Sequence, residues 1–209
     1  MKATPFQKAV ETQIKNSELV RKKRLQIAVG ASKLFIKKGY AQTSIRDISK
    51  ASGLTIGNLY DYITRKEDVL YLVFDVFHST WTNRLEEEGV FQVQDPVKQL
   101  RTAVEKTIEL VNAHREMVLL MYTETKLLPR EFKRIILEKE SGLVEYFERI
   151  LKRGVENGVF KIQDPFLIAN MIVYLLSIEP LRGWNLRKRY KIEEINGHIL
   201  DLVNQIVKQ

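Results

Sequence analysis

The sequence predicts an all-α fold, on three observations. Apolar residues recur at i, i+3, i+4 and i+7 along most of the 209 residues, and no segment keeps the period-two alternation of a half-buried strand. Helix-start signals recur, as S-x-x-D at Ser44 to Asp47 and as Asp-Pro at Asp95-Pro96 and Asp164-Pro165, where Asp caps and Pro suits the first helical position. Stop signals close several periodic runs, at Gly39, Gly53 and Asn157-Gly158. The expected architecture has nine or so helices. An N-terminal three-helix unit built on a helix-turn-helix precedes a larger C-terminal helical domain.

The first 17 residues form a polar arm in which Phe6, Val10 and Ile14 stand at helical spacing. It either extends the first helix or frays, and Lys2, Lys8 and Lys15 would let it reach a minor groove. The first helix runs from about 18 to 38, with Leu25, Ala28, Val29, Ser32, Phe35 and Ile36 as its buried stripe. Arg21, Lys22, Lys23 and Arg24 face outward at its start, as phosphate contacts or as a plain solvated face.

Two short helices follow, about 44–52 and 56–63. Thr43 or Ser44 caps the first, Gly53 turns the chain, Leu54 plugs the angle and Thr55 caps the second. Leu59 and Ile63 of the second point inward. Thr55, Ile56, Gly57, Asn58, Tyr60, Asp61 and Tyr62 make a surface that suits entry into a major groove. These elements place a helix-turn-helix unit at residues 18–66 and a second domain at 67–209, joined by a helix over 66–88.

In the second domain a loop over 89–94 leads to a helix ending near Ala113, then one over 115–127, a break at Pro129 and a long helix over 130–156 that buries Phe132, Ile135, Ile136, Leu143, Val144, Phe147, Ile150 and Leu151. From Pro165 to about Trp184 runs a strongly apolar helix that Pro180 should kink or end. The last helix spans 192–208.

Composition narrows the function classes. Apolar residues make up 44% and aromatics 9%, enough for a real core. No run approaches the roughly eighteen apolar residues of a membrane span, and the N-terminus has no apolar signal region. With no cysteine, disulfides and thiolate metal sites are excluded, in keeping with a cytoplasmic protein. The net charge of +8 is uneven. Residues 1–66 hold 14 Lys or Arg against 4 Asp or Glu, while 67–209 hold 20 against 22, so the excess lies beside the helix-turn-helix, where phosphate neutralisation needs it. Phosphate-cradling, dinucleotide, nucleophile-elbow and zinc-protease motifs are all absent, and His78, His114 and His198 lie on separate helices. No enzyme, metal site or cofactor is expected.

The run G-L-T-I-G-N-L-Y-D-Y-I-T-R-K-E-D-V-L, preceded by G-Y-A-Q-T-S-I-R-D-I, resembles the DNA-binding domain of the TetR family of bacterial one-component transcriptional regulators, over roughly residues 21–75. The resemblance implies a homodimer on a palindromic double-stranded operator. It implies that Arg46 reads a base, that Thr55, Ile56, Gly57 and Asn58 face the groove, and that Thr43, Ser44, Tyr60, Tyr62 and Lys66 contact phosphate. Asp61 departs from the family pattern; it either accepts from a cytosine amine or turns towards Arg65.

Dimerisation is expected through about 165–208. The helix from Phe166 is apolar nearly all round, and Ile192, Ile195, Ile199, Leu202 and Ile206 form a seam. Phe77, Trp81, Met117, Met121, Tyr122, Phe147, Met171 and Tyr174 are the candidates to line an effector cavity, although residues of this kind are more often ordinary core. By resemblance the effector is a hydrophobic small molecule, an acyl-CoA thioester being one class, and Arg182, Arg187, Lys188 and Arg189 would meet an acidic group on it. The whole reading is a repressor released from DNA by that effector. The alternative is a DNA-binding protein whose C-terminal domain holds a protein partner.

Overall fold

The structure, a computed structural model, describes residues 10–208. Phe6, Lys2 and Lys8 of the arm lie outside them. Among the described residues there are ten α-helices and no strand: α1 (Ser17–Lys38), α2 (Ile45–Ser52), α3 (Ile56–Tyr60), α4 (Lys66–Glu87), α5 (Pro96–Ala113), α6 (Arg115–Glu124), α7 (Arg130–Glu156), α8 (Pro165–Leu176), α9 (Ile178–Leu186) and α10 (Ile192–Lys208), with 3₁₀ turns at Val90–Gln92 and Thr125–Leu127. The chain forms two compact units. One comprises the N-terminal part to Thr82 with Leu120–Glu138, the other Asn83–Leu119 with the chain from Lys139.

Most ends obey the local signals. Asp95 Oδ1 accepts from the N–H groups of Val97 (2.9 Å) and Lys98 (3.0 Å) ahead of Pro96, and Asp164 Oδ1 accepts from that of Leu167 (3.0 Å) ahead of Pro165. At the C-terminus of α7, Gly158 takes φ +70°, and the N–H groups of Val159 and Phe160 return to the Gly154 carbonyl.

Pro180 does not end its helix. The break comes earlier, at Ser177, where α8 and α9 meet at 50°, and this puts Pro180 in the first turn of α9, where its missing N–H has no carbonyl to serve. Among the described residues no single helix is long and apolar enough to cross a membrane; the bent α8–α9 pair reaches that length and composition only jointly.

In the second unit α5 packs against α8, α9 and α10. The buried residues there include Leu100, Ala103, Val104, Phe147, Ile150, Leu151, Ala169, Ile172 and Leu176. The Tyr146 hydroxyl (3.1 Å) and Gln99 Nε2 (3.1 Å) both donate to the Val90 carbonyl, while Arg153 donates to the Val93 carbonyl (3.2 Å), so the 90–93 turn is fixed from α5 and α7. Along α7, Ile135, Leu143 and Val144 are only half-buried. In α10 the inward line is Ile195, Ile199, Val203 and Val207, which keeps Ile195 and Ile199 of the expected seam and then follows an i, i+4 row through Val203 and Val207 instead of Leu202 and Ile206. Leu202 stays exposed and Ile192 and Ile206 half-exposed.

Candidate nucleic-acid interface

The helix-turn-helix is fixed at four points by its own side chains. Ser44 Oγ accepts from the Asp47 N–H (3.1 Å) and Asp47 Oδ2 accepts from the Ser44 N–H (2.8 Å), a closed capping box that starts α2. Lys38 Nζ, 2.7 Å from the same oxygen, is the main reason the Asp47 carboxyl sits well below the usual carboxylate range; Ser44 adds to it. Gly53 ends α2 at φ +65°, a left-handed turn that costs a residue without Cβ little. The Ser49 hydroxyl donates to the Leu54 carbonyl (2.6 Å), holding the turn closed, and Thr55 Oγ1 accepts from the Asn58 N–H (3.2 Å) to start α3.

Helix α3 is shorter than expected. It stops at Tyr60, because the N–H groups of Tyr62 and Ile63 both return to the Leu59 carbonyl in a turn that drives Tyr62 and Ile63 inward beside Leu59. The next helix starts on Asp68, whose Oδ2 accepts from the N–H groups of Thr64 (2.6 Å) and Arg65 (3.0 Å).

Seven of the ten residues expected at DNA are exposed: Ser44, Arg46, Thr55, Ile56, Gly57, Asn58 and Tyr60. Lys66 is half-buried, its Nζ 4.1 Å from the Tyr40 ring centroid and 3.3 Å from the Ala41 carbonyl oxygen, and burial lowers its pKa. Thr43 and Tyr62 depart from expectation. Both are buried, and the Thr43 hydroxyl donates to the Gly39 carbonyl (2.8 Å), so it satisfies the end of α1 while Ser44 does the capping. Arg65 does not engage Asp61. It reaches Asp68 (3.4 Å) and Glu131 (3.0 Å) and lies over the Phe132 ring, which stacks on Tyr71.

The largest correction concerns α1. Its buried face is Val20, Arg24, Ile27, Ala28, Ala31 and Phe35, while Leu25, Val29 and Ile36 are exposed. Arg24, expected to face outward, is 3% exposed. Its Nε donates to the Tyr62 carbonyl (3.2 Å) and its Nη2 to the carbonyls of Val10 (2.7 Å) and Glu11 (3.3 Å). Burial lowers its pKa, and the negative charge of Asp68 opposes that shift. Thr12 adds a hydroxyl donated to the Asp61 carbonyl (2.7 Å). Residues 10–12 are thus tied to the end of the reading turn, rather than being a frayed arm. No local pattern marks Arg24 or Thr12 for this role, since their acceptors lie far along the chain.

At Gly57 a built Cβ meets nothing within 4 Å, so no internal contact requires glycine there. Gly57→Ala is therefore expected to keep the fold and to raise the thermal midpoint by up to about 2–4 °C, since alanine favours a helix by up to ~1 kcal/mol. If DNA approaches this backbone closely, the same change weakens operator binding about tenfold, a loss of ~1.4 kcal/mol. Unchanged anisotropy titrations would remove close approach at this position.

The candidate effector residues are divided between the two units. In the N-terminal unit Phe77 meets Trp81 edge to face at 5.4 Å, Met121 is buried and Tyr122 is exposed. In the other unit Met117 and Phe147 are buried, whereas Met171 and Tyr174 stand outward on α8, whose inner face is Ala169, Ile172 and Leu176.

The sequence profile of the bacterial regulatory proteins, tetR family, matches residues 27–71, the stretch just described, and that of the tetracyclin repressor-like C-terminal domain matches residues 93–178. The chain belongs to the TetR family. It is a DNA-binding transcriptional regulator, and the family is one of regulators, not enzymes. Among its relatives is the HTH-type transcriptional regulator HbdR of Aromatoleum sp. (strain CIB), 25% identical over 186 residues, 89% of this chain and 81% of that protein. The same fold is seen in the transcriptional regulator FadR from Bacillus subtilis in complex with stearoyl-CoA, with 22% identity, a TM-score of 0.74 and coverage of 88% of this chain and 98% of that one. It is seen again in AibR in complex with isovaleryl coenzyme A and operator DNA, with 21% identity, a TM-score of 0.73 and coverage of 87% and 97%.

Proposed function

We propose that this TetR-family regulator is a homodimeric repressor in the cytoplasm, which grips a palindromic operator with two copies of α3 and releases it when an acyl-CoA-like effector occupies its C-terminal unit. The observation that carries the reading is the exposed row from Ser44 and Arg46 to Tyr60, held on a helix-turn-helix whose other side is fully packed. Arg46 reads guanine through its guanidinium fork, Asn58 faces adenine, Ile56 packs on a thymine methyl, and Ser44, Tyr60 and Lys66 hold phosphates.

Dimerisation is assigned to the outward face of α8 with Leu202 of α10. Phe166 is 58% and Tyr174 56% exposed, with Leu167 and Met171 between them, an apolar surface that a monomer rarely leaves open. The effector reading draws on two structural relatives that carry acyl-CoA ligands. It also draws on the Thr107 hydroxyl of α5, which is buried in the C-terminal unit with no hydrogen-bond partner among the described residues and suits a polar group on a ligand. A shift of α4 on effector binding would respace the two reading heads, so that half-sites about 34–36 Å apart are no longer met together.

The test is anisotropy with DNA from upstream of the protein's own gene, at fixed salt, with and without acyl-CoAs and aromatic acids. Tight binding that one compound abolishes supports the reading. Binding that no compound alters favours a protein partner for the C-terminal unit. Within the interface, Arg46→Ala is expected to cost about 1–3 kcal/mol on the operator and to relax base choice, whereas Lys66→Ala weakens all sequences and lowers the salt slope by about one. Equal losses on operator and random DNA for Arg46→Ala would remove its base-reading role.

A further inference from the structure

The side of α1 that the packing leaves outward is a groove of about 540 Å³, lined by Lys22, Leu25, Val29, Lys33, Leu34 and Lys37 and closed on one side by Ala51 of α2. Its depth has a structural cause. Gly30 lets the helices cross so closely that a Cβ there would stand 2.9 Å from the Ala51 carbonyl oxygen, and the Gln26 side chain donates to the Ser52 carbonyl at the same crossing. Leu25 is 39% and Val29 47% exposed, and Ile36 extends the row towards the end of the helix. Leu25, Val29 and Ile36 are spaced by four and seven, so they form one stripe. Lys22, Lys33 and Lys37, all exposed, border it.

We propose that this groove docks an acidic amphipathic helix of a protein partner, giving the DNA-binding unit a second contact independent of α3. The apolar floor does not suit a phosphodiester backbone, which has no hydrocarbon face to bury there. The lysine border does not suit a second copy of the same face, because Lys22, Lys33 and Lys37 would meet their own like charges. A helix with leucines at i, i+4 and i+7 and carboxylates along the flank that meets the lysines answers both features. From Lys22 to Lys37 the groove runs about 22 Å at 1.5 Å per residue, the length of a helix of some fifteen residues.

The experiment uses the full chain and a fluorescein-labelled fifteen-residue peptide with leucines at that spacing and glutamate elsewhere, with a scrambled peptide of the same composition as control. Saturable anisotropy is expected for the patterned peptide, at least tenfold tighter than for the scrambled one and weakening as salt is raised. Val29→Glu and the pair Lys33→Glu with Lys37→Glu should each weaken it tenfold or more. Val29 is half exposed, so its variant is expected to fold, and retained operator binding by Val29→Glu verifies that. Equal binding of both peptides, or binding indifferent to Val29→Glu, overturns the proposal. Concentration-dependent association of the protein that Val29→Glu abolishes assigns the groove to a second copy instead. Val29-dependent binding to phosphatidylglycerol vesicles without peptide binding assigns it to a lipid surface.

Discussion

Arg24→Met is expected to destabilise the N-terminal unit by about 2–4 kcal/mol, although Arg24 is on no DNA-facing surface. Three backbone carbonyls, those of Val10, Glu11 and Tyr62, lose their donor, and two of these hydrogen bonds are buried. A buried acceptor left without a donor costs ~1–3 kcal/mol, and relief from burying the guanidinium charge offsets part of the sum. For a chain of this size that corresponds to a midpoint lower by about 5–15 °C. The effect should be local first. Amide exchange at Tyr62 and Ile63 accelerates before that in α5, because the turn after α3 loses its outside support. Operator affinity falls with it, since a five-residue helix has little order of its own and takes its position from its surroundings. Arg24→Lys keeps the charge but offers a single point donor for three spread acceptors, so it should recover only part of the loss. A midpoint unchanged in Arg24→Met would show that residues 10–12 and the α3 turn are held by other contacts.

Met171→Asp is expected to convert the proposed dimer to a monomer and to lower operator affinity about a hundredfold or more. Met171 is exposed within a single subunit, so the carboxylate causes no loss of the subunit's own core. In the proposed dimer it would lie in the apolar contact made by Phe166, Leu167 and Tyr174, where an unpaired carboxylate costs several kcal/mol. Two linked reading heads gain on the order of 10²–10⁴ in avidity over one, and the variant forfeits that gain while each head remains intact. Sedimentation equilibrium reads the first effect and operator anisotropy the second. A Met171→Asp protein that stays dimeric places the interface elsewhere, and one that becomes monomeric yet binds the operator unchanged removes the two-headed reading.

The sequence by itself determined several features whose cause lies within about four residues, though not the early end of α3 at the Leu59 carbonyl. The S-x-x-D box at Ser44, the Gly53 turn, the Thr55 cap and both Asp-Pro starts are completed by near neighbours, so their spacing is their geometry. Exposure of Ile56, Gly57 and Asn58 followed too, because Leu59 and Ile63 are the apolar side chains that must turn inward, and they leave the opposite face no core to enter.

Only tertiary structure decided which face of α1 is buried. Apolar residues surround that helix at Val20, Leu25, Ile27, Ala28, Val29, Ala31, Phe35 and Ile36, so two stripes compete, and the close crossing at Gly30 selects the one that contains Arg24. An arginine on that face is tolerable only because carbonyls 14 and 38 residues away meet it. The same reason takes Tyr62 off the DNA-facing surface and puts Met171 and Tyr174 outside the core. Periodicity fixes that a helix has an apolar side, and which of its sides meets another helix is set by partners that no local pattern names.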